Sequence, residues 1–140
     1  MHEAILRDFF LSKVDAKVLS EDIEGSRVMT SQPGAVPEVS QNHIVDMDSE
    51  FELSRPNLIA VCDAFLAGGL KTGDVEFIGY ALACSDMFTW DGDQDNILAS
   101  IIEDWSMHET NYPLNVETIQ RCRRWLGGSE KYPDWAGADS

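Results

Sequence analysis

Apolar residues recur every three to four positions through most of this chain, the spacing that places them on one face of an α-helix. The pattern first appears in residues 3–24. The polar run at residues 12–15 can divide this stretch into two short helices, with Asp15 as the N-cap of the second. Gly25 is the predicted end of that helix.

Residues 26–53 contain fewer helix formers, and prolines and a glycine interrupt them. Two short runs, at 27–30 and 43–47, predict strands that pair as a hairpin around a long loop. Residues 51–53 alternate apolar and acidic side chains, which suits an edge strand. The sequence gives no role for residues 26–43.

Helical spacing is strongest in the rest of the chain. Ser54 or Asn57 is the predicted N-cap of a helix that ends at residues 68–69. The next helix starts at Thr72 or Asp74. Apolar residues cover much of its circumference, so we expect it to lie at the centre of the fold.

Two further helices follow. One covers residues 97–105 with Asp93 or Asp95 as its cap. The other has Asn115 as its N-cap, flanked by a hydrophobic staple, and residues 127–128 end it.

These elements predict a mainly α fold of about five helices with a small β-hairpin insertion, or an α+β fold if the hairpin is larger than expected. A chain of 140 residues is long enough for one domain with a real core. We place a single globular domain at 1–128 and a loosely ordered tail at 129–140. Tyr132 and Trp135 of that tail are able to dock on the domain.

The formal charge of −15 narrows the choice of partners. Binding to nucleic acid needs clustered Lys and Arg, and an anionic membrane surface attracts the same residues. We therefore expect neither partner. No apolar run approaches the roughly 20 residues that span a bilayer, and the first residues lack the basic start of a secretory signal.

The three cysteines, Cys62, Cys84 and Cys122, are far apart in the sequence. Cys62 and Cys84 fall inside apolar helical patterns, so we expect small buried hydrophobic residues there and no metal ligands. Reduced cysteines without a secretory signal indicate the cytoplasm.

Acidic and basic residues are not evenly mixed along the chain. Between Lys71 and Arg121 the chain carries ten carboxylates and no Lys or Arg. Unbroken like charge weakens the compact state, so a folded domain that keeps it has a use for the field. We infer that the field attracts a basic partner protein.

No motif in the sequence identifies a reaction. The acids at 91, 93 and 95 have the spacing of a calcium loop, but Asn96 replaces the required glycine and Ile102 replaces the bidentate glutamate. Nucleophile-elbow, phosphate-loop and zinc-protease motifs are absent from the sequence. We predict no metal, no cofactor and no enzymatic activity.

The candidate partner-binding residues are acids of the cation-free span and an aromatic residue among them. Trp90 and Trp105 can each be an interface residue or a core residue, because tryptophan is favoured at both places. The candidates are Asp86, Trp90, Asp91, Asp93, Asp95, Glu103, Asp104 and Glu109.

Three segments of the chain resemble small acidic bacterial immunity proteins of toxin and contact-dependent inhibition systems. These segments are Leu-Ile-Ala-Val-Cys-Asp-Ala-Phe-Leu-Ala-Gly at 58–68, Ile-Gly-Tyr-Ala-Leu-Ala-Cys-Ser-Asp at 78–86 and Asn-Tyr-Pro-Leu-Asn at 111–115. The resemblance is one of general pattern and acidity over residues 44–126. It implies a protein that binds a cognate toxin domain and blocks its active site.

The sequence therefore predicts a non-enzymatic, cytoplasmic protein that binds and neutralises a basic toxin domain, such as a nuclease. Two alternatives stay open: a metal-dependent enzyme built on the carboxylates, and a homodimeric regulatory adaptor. The partner's identity and the oligomeric state cannot be read from the sequence.

Overall fold

The computed structural model describes residues 1–28, 44–90, 92, 96–106 and 113–131, and only the backbone of residues 26–28. Within these residues lie six helices and two short strands: α1 Glu3–Phe10, α2 Ala16–Val28, β1 Phe51–Glu52, α3 Arg55–Leu66, α4 Thr72–Cys84, β2 Phe88–Thr89, α5 Ile97–Ser106 and α6 Val116–Gly127. The fold is mainly α with a small β element, which confirms the predicted fold class.

The predicted division of the first helical stretch is confirmed. Ser12, with a φ of 62°, lies between α1 and α2, and the Asp15 carboxylate accepts the backbone N–H of Val18 at 3.1 Å as the predicted cap. Helix α2 continues past the predicted end at Gly25. Arg27 and Val28 are therefore helical, and the predicted strand at 27–30 is wrong for these two residues.

The β element is a parallel pair of strands and not a hairpin. Phe51 pairs with Phe88 and Glu52 with Thr89. The N–H of Phe51 donates to the carbonyl of Met87 at 2.8 Å. Parallel strands need a long crossover connection, which helices α3 and α4 provide here. The edge strand predicted near residue 51 is confirmed, but its partner is 37 residues away in the sequence.

The strand predicted at 43–47 is reduced to a single bridge. Val45 pairs with His2, and its N–H donates to the carbonyl of Met1 at 2.8 Å. Beside it, the buried Glu3 accepts the N–H of Met47 with one carboxylate oxygen, at 3.0 Å. These contacts attach the segment after residue 43 to the start of α1.

The helices pack in two main pairs. Helix α3 packs chiefly on α6, and α4 packs chiefly on α5. Trp105 of α5 is fully buried at the second contact. The rings of Phe10, Phe51 and Phe88 meet at centroid distances of 5.9 to 6.0 Å, so the sheet is joined to α1 by aromatic contacts.

Capping residues fix the ends of α3 and α6. Asn57 accepts the N–H of Ser54 at 2.8 Å, and Asn115 accepts the N–H of Thr118 at 2.9 Å, both as expected at an N-cap. Gly68 and Gly128 have φ values of 88° and 82° just after the helices, in the left-handed region that glycine favours.

The chain stays attached to the body just beyond α6. The carboxylate of Glu130 accepts hydrogen bonds from Arg124 at 3.0 Å and from the indole N–H of Trp125 at 3.1 Å. The first residues of the predicted loose tail are therefore fixed by contacts with α6. Tyr132 and Trp135, the predicted docking residues, lie outside the described residues.

Candidate partner-binding surface

The parallel strand pair brings two acidic segments of the chain together. The first segment runs into β1 and carries exposed acids at Asp46, Asp48, Glu50 and Glu52. The second segment, residues 86–90, contains β2 and begins with the exposed Asp86. Because Phe51 lies opposite Phe88, the two segments lie side by side, although 37 residues separate the paired positions in the sequence.

Trp90 follows β2 directly. Its side chain packs against the hydrophobic core and is also partly exposed, so its core contacts leave part of the ring open to solvent. We call the exposed acids of the two segments, together with this residue, the acidic surface: Asp46, Asp48, Glu50, Glu52, Asp86 and Trp90.

In the described ranges, the five acids of the acidic surface form no ion pairs, whereas several acids elsewhere do. Elsewhere, Asp63 accepts a hydrogen bond from Arg123, Asp22 faces His2, and Glu130 faces Arg121 and Arg124. Within the part of the chain that the structure describes, the five acids of the acidic surface form no ion pair with Lys or Arg. Ion pairs within the described residues therefore do not neutralise these five charges.

Two pKa shifts mark the compensated positions. The hydrogen bond from Arg124 holds the pKa of the Glu130 carboxyl below its ordinary value, with a smaller contribution from the Trp125 indole. The hydrogen bond to Asp63 raises the pKa of Arg123. These charges stabilise each other and are less available to a partner.

One basic residue borders the acidic surface. Arg55, at the start of α3, lines a cavity of about 360 Å³ together with Glu52, Gly92 and Leu98. Gly92 lies so close that a Cβ atom on it would be 2.8 Å from a carboxylate oxygen of Glu52. Residues 72–120 contain no Lys or Arg, but the fold brings Arg55 close to Gly92 of that span, beside Glu52.

The structure exposes two of the predicted contact residues on α5 and near β2 and buries a third. Asp86 and Glu103 are exposed, as a contact role requires. Asp104 is only 2% exposed, so it cannot contact a partner, and its predicted role is corrected to a structural one. It lies three residues after the buried Ile101 and next to Trp105, on the inner side of α5.

The remaining predicted contact residues lie outside the described residues. These are Asp91, Asp93, Asp95 and Glu109.

A second acid of the cation-free span is also structural. Asp74 is 4% exposed in the first turn of α4. Its carboxylate accepts the N–H of Lys71 at 2.9 Å and the hydroxyl of Ser20 at 2.8 Å, which joins the start of α4 to α2. Counting acids along the sequence therefore overstates the charge available at the surface.

Sequence reasoning missed four of the six residues of the acidic surface. The acids at 46, 48, 50 and 52 precede Lys71 and lie outside the cation-free span. The edge-strand pattern at 51–53 is the sequence signal that points to them. Nothing in the neighbouring sequence, however, indicates that this strand pairs with β2. The acidic surface is therefore a product of the fold.

The three cysteines are free, and the structure separates them into two classes. Cys62 is buried as expected, and burial raises the pKa of its thiol; Cys122 is buried as well. Cys84 is exposed at the end of α4, so its predicted burial is wrong. The last turn of α4 turns this residue away from the core even though its neighbours are apolar.

Three other findings bear on function. Among the residues that the structure describes, no group of three or more His, Cys, Asp or Glu side chains is arranged to hold a metal ion. None of the described helices combines the length and the apolar character that crossing a membrane requires. Comparisons with protein-family models, with curated proteins and with solved structures find no match to this chain.

Proposed function

We propose that this protein is a non-enzymatic, cytoplasmic protein that binds a basic toxin domain and neutralises it, as immunity proteins do. The observation that carries the proposal is the meeting of two acidic segments at the β1–β2 pair, where their exposed carboxylates form no ion pair with Lys or Arg in the described part of the chain. Three free cysteines fit the reducing cytoplasm.

Charge at such a surface acts mainly on the rate of encounter. A complementary potential raises association to about 10⁸ per molar per second or more at low salt. Trp90, which is held against the core and partly exposed, supplies apolar area that slows dissociation. The acids thus select a basic partner, and the aromatic residue retains it.

The test uses the protein encoded by the adjacent upstream gene as the probe. Association and dissociation rates are measured at low and high salt. Nanomolar or tighter binding with an association rate that falls steeply with salt is the expected result. Absence of binding, or binding with no salt dependence of the association rate, contradicts the proposal.

A matched pair of variants separates the acidic surface from net charge. The double variant Glu50→Gln, Asp86→Asn removes two exposed acids from the acidic surface, and Glu21→Gln, Glu24→Gln removes two exposed acids from α2. We expect the first variant to associate about tenfold more slowly and the second to remain within about twofold of the wild type. Equal effects of both variants would show that only net charge matters and would contradict the role of the acidic surface.

A further inference from the structure

Tyr80 is an exposed aromatic residue on an otherwise strongly buried helix. Most residues around it in α4 are buried, including Phe77, Ile78, Ala81 and Leu82, whereas the Tyr80 side chain is 42% exposed. Ala83 and Cys84, three and four positions later, are also exposed. Residues at this spacing share one side of a helix. One face of α4 therefore presents an aromatic ring and a thiol to solvent.

The Tyr80 ring packs against a buried neighbour on the same helix. It meets the buried Phe77 ring edge to face, with centroids 6.4 Å apart and an interplanar angle of 73°. The electrostatic influence of the neighbouring Cys84 raises the pKa of the Tyr80 hydroxyl. A side chain held in this way loses little conformational freedom when a partner covers it.

The chain leads directly from this face to the acidic surface. After Cys84, the Ser85 hydroxyl oxygen accepts the N–H groups of Met87 and Phe88 at 3.0 and 3.1 Å, which fixes the turn into β2. Asp86 lies within that turn, and the Met87 carbonyl accepts the ladder hydrogen bond from Phe51. The aromatic face of α4 and the exposed acids at the sheet are thus adjacent.

We propose that the face of α4 formed by Tyr80, Ala83 and Cys84 is part of the contact with the basic partner and supplies its apolar anchor. The inference rests on the proposed function, because the charge of the neighbouring acids selects the occupant. A lysine or arginine of the partner lays its aliphatic stem on the Tyr80 ring and directs its charge to Asp86.

A second copy of this chain fits the face poorly. Each copy carries a formal charge of −15 and would place the same exposed acids opposite one another, where like charges repel. The basic partner removes this repulsion. The experiment below distinguishes a homodimer through α4 from contact with the basic partner.

The experiment uses Cys84 as a reporter of coverage. It is the exposed thiol of the three, so N-ethylmaleimide modifies it while Cys62 and Cys122 stay buried in the folded protein. The probe is again the protein encoded by the adjacent upstream gene. At saturating probe we expect Cys84 to be alkylated at least about tenfold more slowly, as read by intact mass.

Variants of Tyr80 measure the anchor itself. Tyr80→Ala removes the ring and is expected to raise the dissociation rate about 30-fold, with the association rate within about twofold of the wild type. Tyr80→Phe keeps the ring and should stay within about threefold. Val18→Ala, which shortens an exposed apolar side chain on α2, is the matched control and should change neither rate.

The outcomes separate the two proposals. If the probe binds with the expected salt dependence, but Cys84 stays equally reactive and Tyr80→Ala dissociates like the wild type, the anchor is overturned and the proposed function stands. If Cys84 becomes protected without probe as concentration rises, and sedimentation shows a dimer, the face belongs to a homodimer and the anchor is overturned. If the probe does not bind at all, both proposals fail.

Discussion

Gly79 of α4 lies directly against Trp105 of α5. A Cβ atom added to Gly79 would lie 2.6 Å from the Cβ of Trp105 and 2.8 Å from the backbone nitrogen of Ser106. These distances are too short for real Cβ contacts, and the atoms involved belong to or adjoin the helix backbone. The close packing of α4 on α5 therefore depends on the absence of a side chain at this position.

We expect Gly79→Ala to destabilise the protein. The added methyl group forces the two helices apart, and overpacking of a filled core costs about 1–3 kcal/mol in the free energy of unfolding. Urea denaturation followed by circular dichroism measures the change. A variant as stable as the wild type would show that α4 and α5 do not approach this closely.

Gly25→Ala is the matched control for that substitution. Gly25 lies within α2, and an added Cβ would meet nothing within 4 Å. Alanine in a helix interior is favoured over glycine by about 0.5–1 kcal/mol, so this variant should be more stable than the wild type. The same chemical change is thus expected to have opposite signs at the two positions.

Asp74 joins α2 to α4, so its removal should lower stability. In Asp74→Ala, the Ser20 hydroxyl and the Lys71 N–H each lose their charged acceptor, and we expect a loss of about 1.5–3 kcal/mol. Ser20→Ala should cost about 1 kcal/mol, because Asp74 keeps its bond to Lys71. Urea denaturation of both single variants and the double variant tests the coupling, and fully additive losses would argue against the hydrogen bond.

The adjacent acids Glu103 and Asp104 are expected to respond in opposite ways. Asp104 is buried, so Asp104→Ala should lower the free energy of unfolding by more than about 1 kcal/mol. Glu103 is exposed, so Glu103→Ala should stay within about 0.5 kcal/mol of the wild type. Thermal denaturation compares the two variants, and equal midpoints would contradict the burial of Asp104.

Glu130 makes the stability of the C-terminal end of α6 depend on pH. Its folded pKa is lower than the ordinary value of 4.5, because Arg124 and then Trp125 donate hydrogen bonds to the carboxylate. Its contribution is complete above pH 4.5 and is lost as pH falls through the lower folded pKa, since the unfolded chain takes up the proton first.

Glu130→Gln should therefore reduce the difference in stability between about pH 6 and about pH 3. Arg124→Gln removes the largest cause of the shift and should reduce the same difference. Urea denaturation at the two pH values measures it. An unchanged difference in both variants would mean that the carboxylate titrates alike in the folded and unfolded chains.

Local signals in the sequence predicted the helices, whereas the strand pairing depends on contacts between residues far apart in the sequence. Asp15 and Asn115 were identifiable as caps because a cap acts on backbone groups within three residues. The pairing of Phe51 with Phe88 was not, because it joins strands across α3 and α4. The predicted hairpin of 27–30 with 43–47 failed because α2 continues through Val28 and because Val45 pairs with His2 instead.

The candidate site shows the same limit. The exposed Asp86 was identified from charge alone, whereas the burial of Asp104 depends on the side of α5 that faces α4. Asp104 lies three residues after Ile101, a spacing that places both on one side of a helix and predicts the burial of Asp104. The prediction instead followed the number of acids in the span. Tyr80 was missed because an apolar position in a central helix is ordinarily core.

The parallel strand pair has a consequence for how recognition relates to folding. An unfolded chain presents the acids before β1 and those at β2 as two separate stretches, so a ligand that needs both binds native molecules alone. Such a ligand stabilises the native state by mass action, because it does not bind the unfolded chain. The melting temperature should therefore rise with ligand concentration. Resistance to heat or proteolysis would then report occupancy without any label.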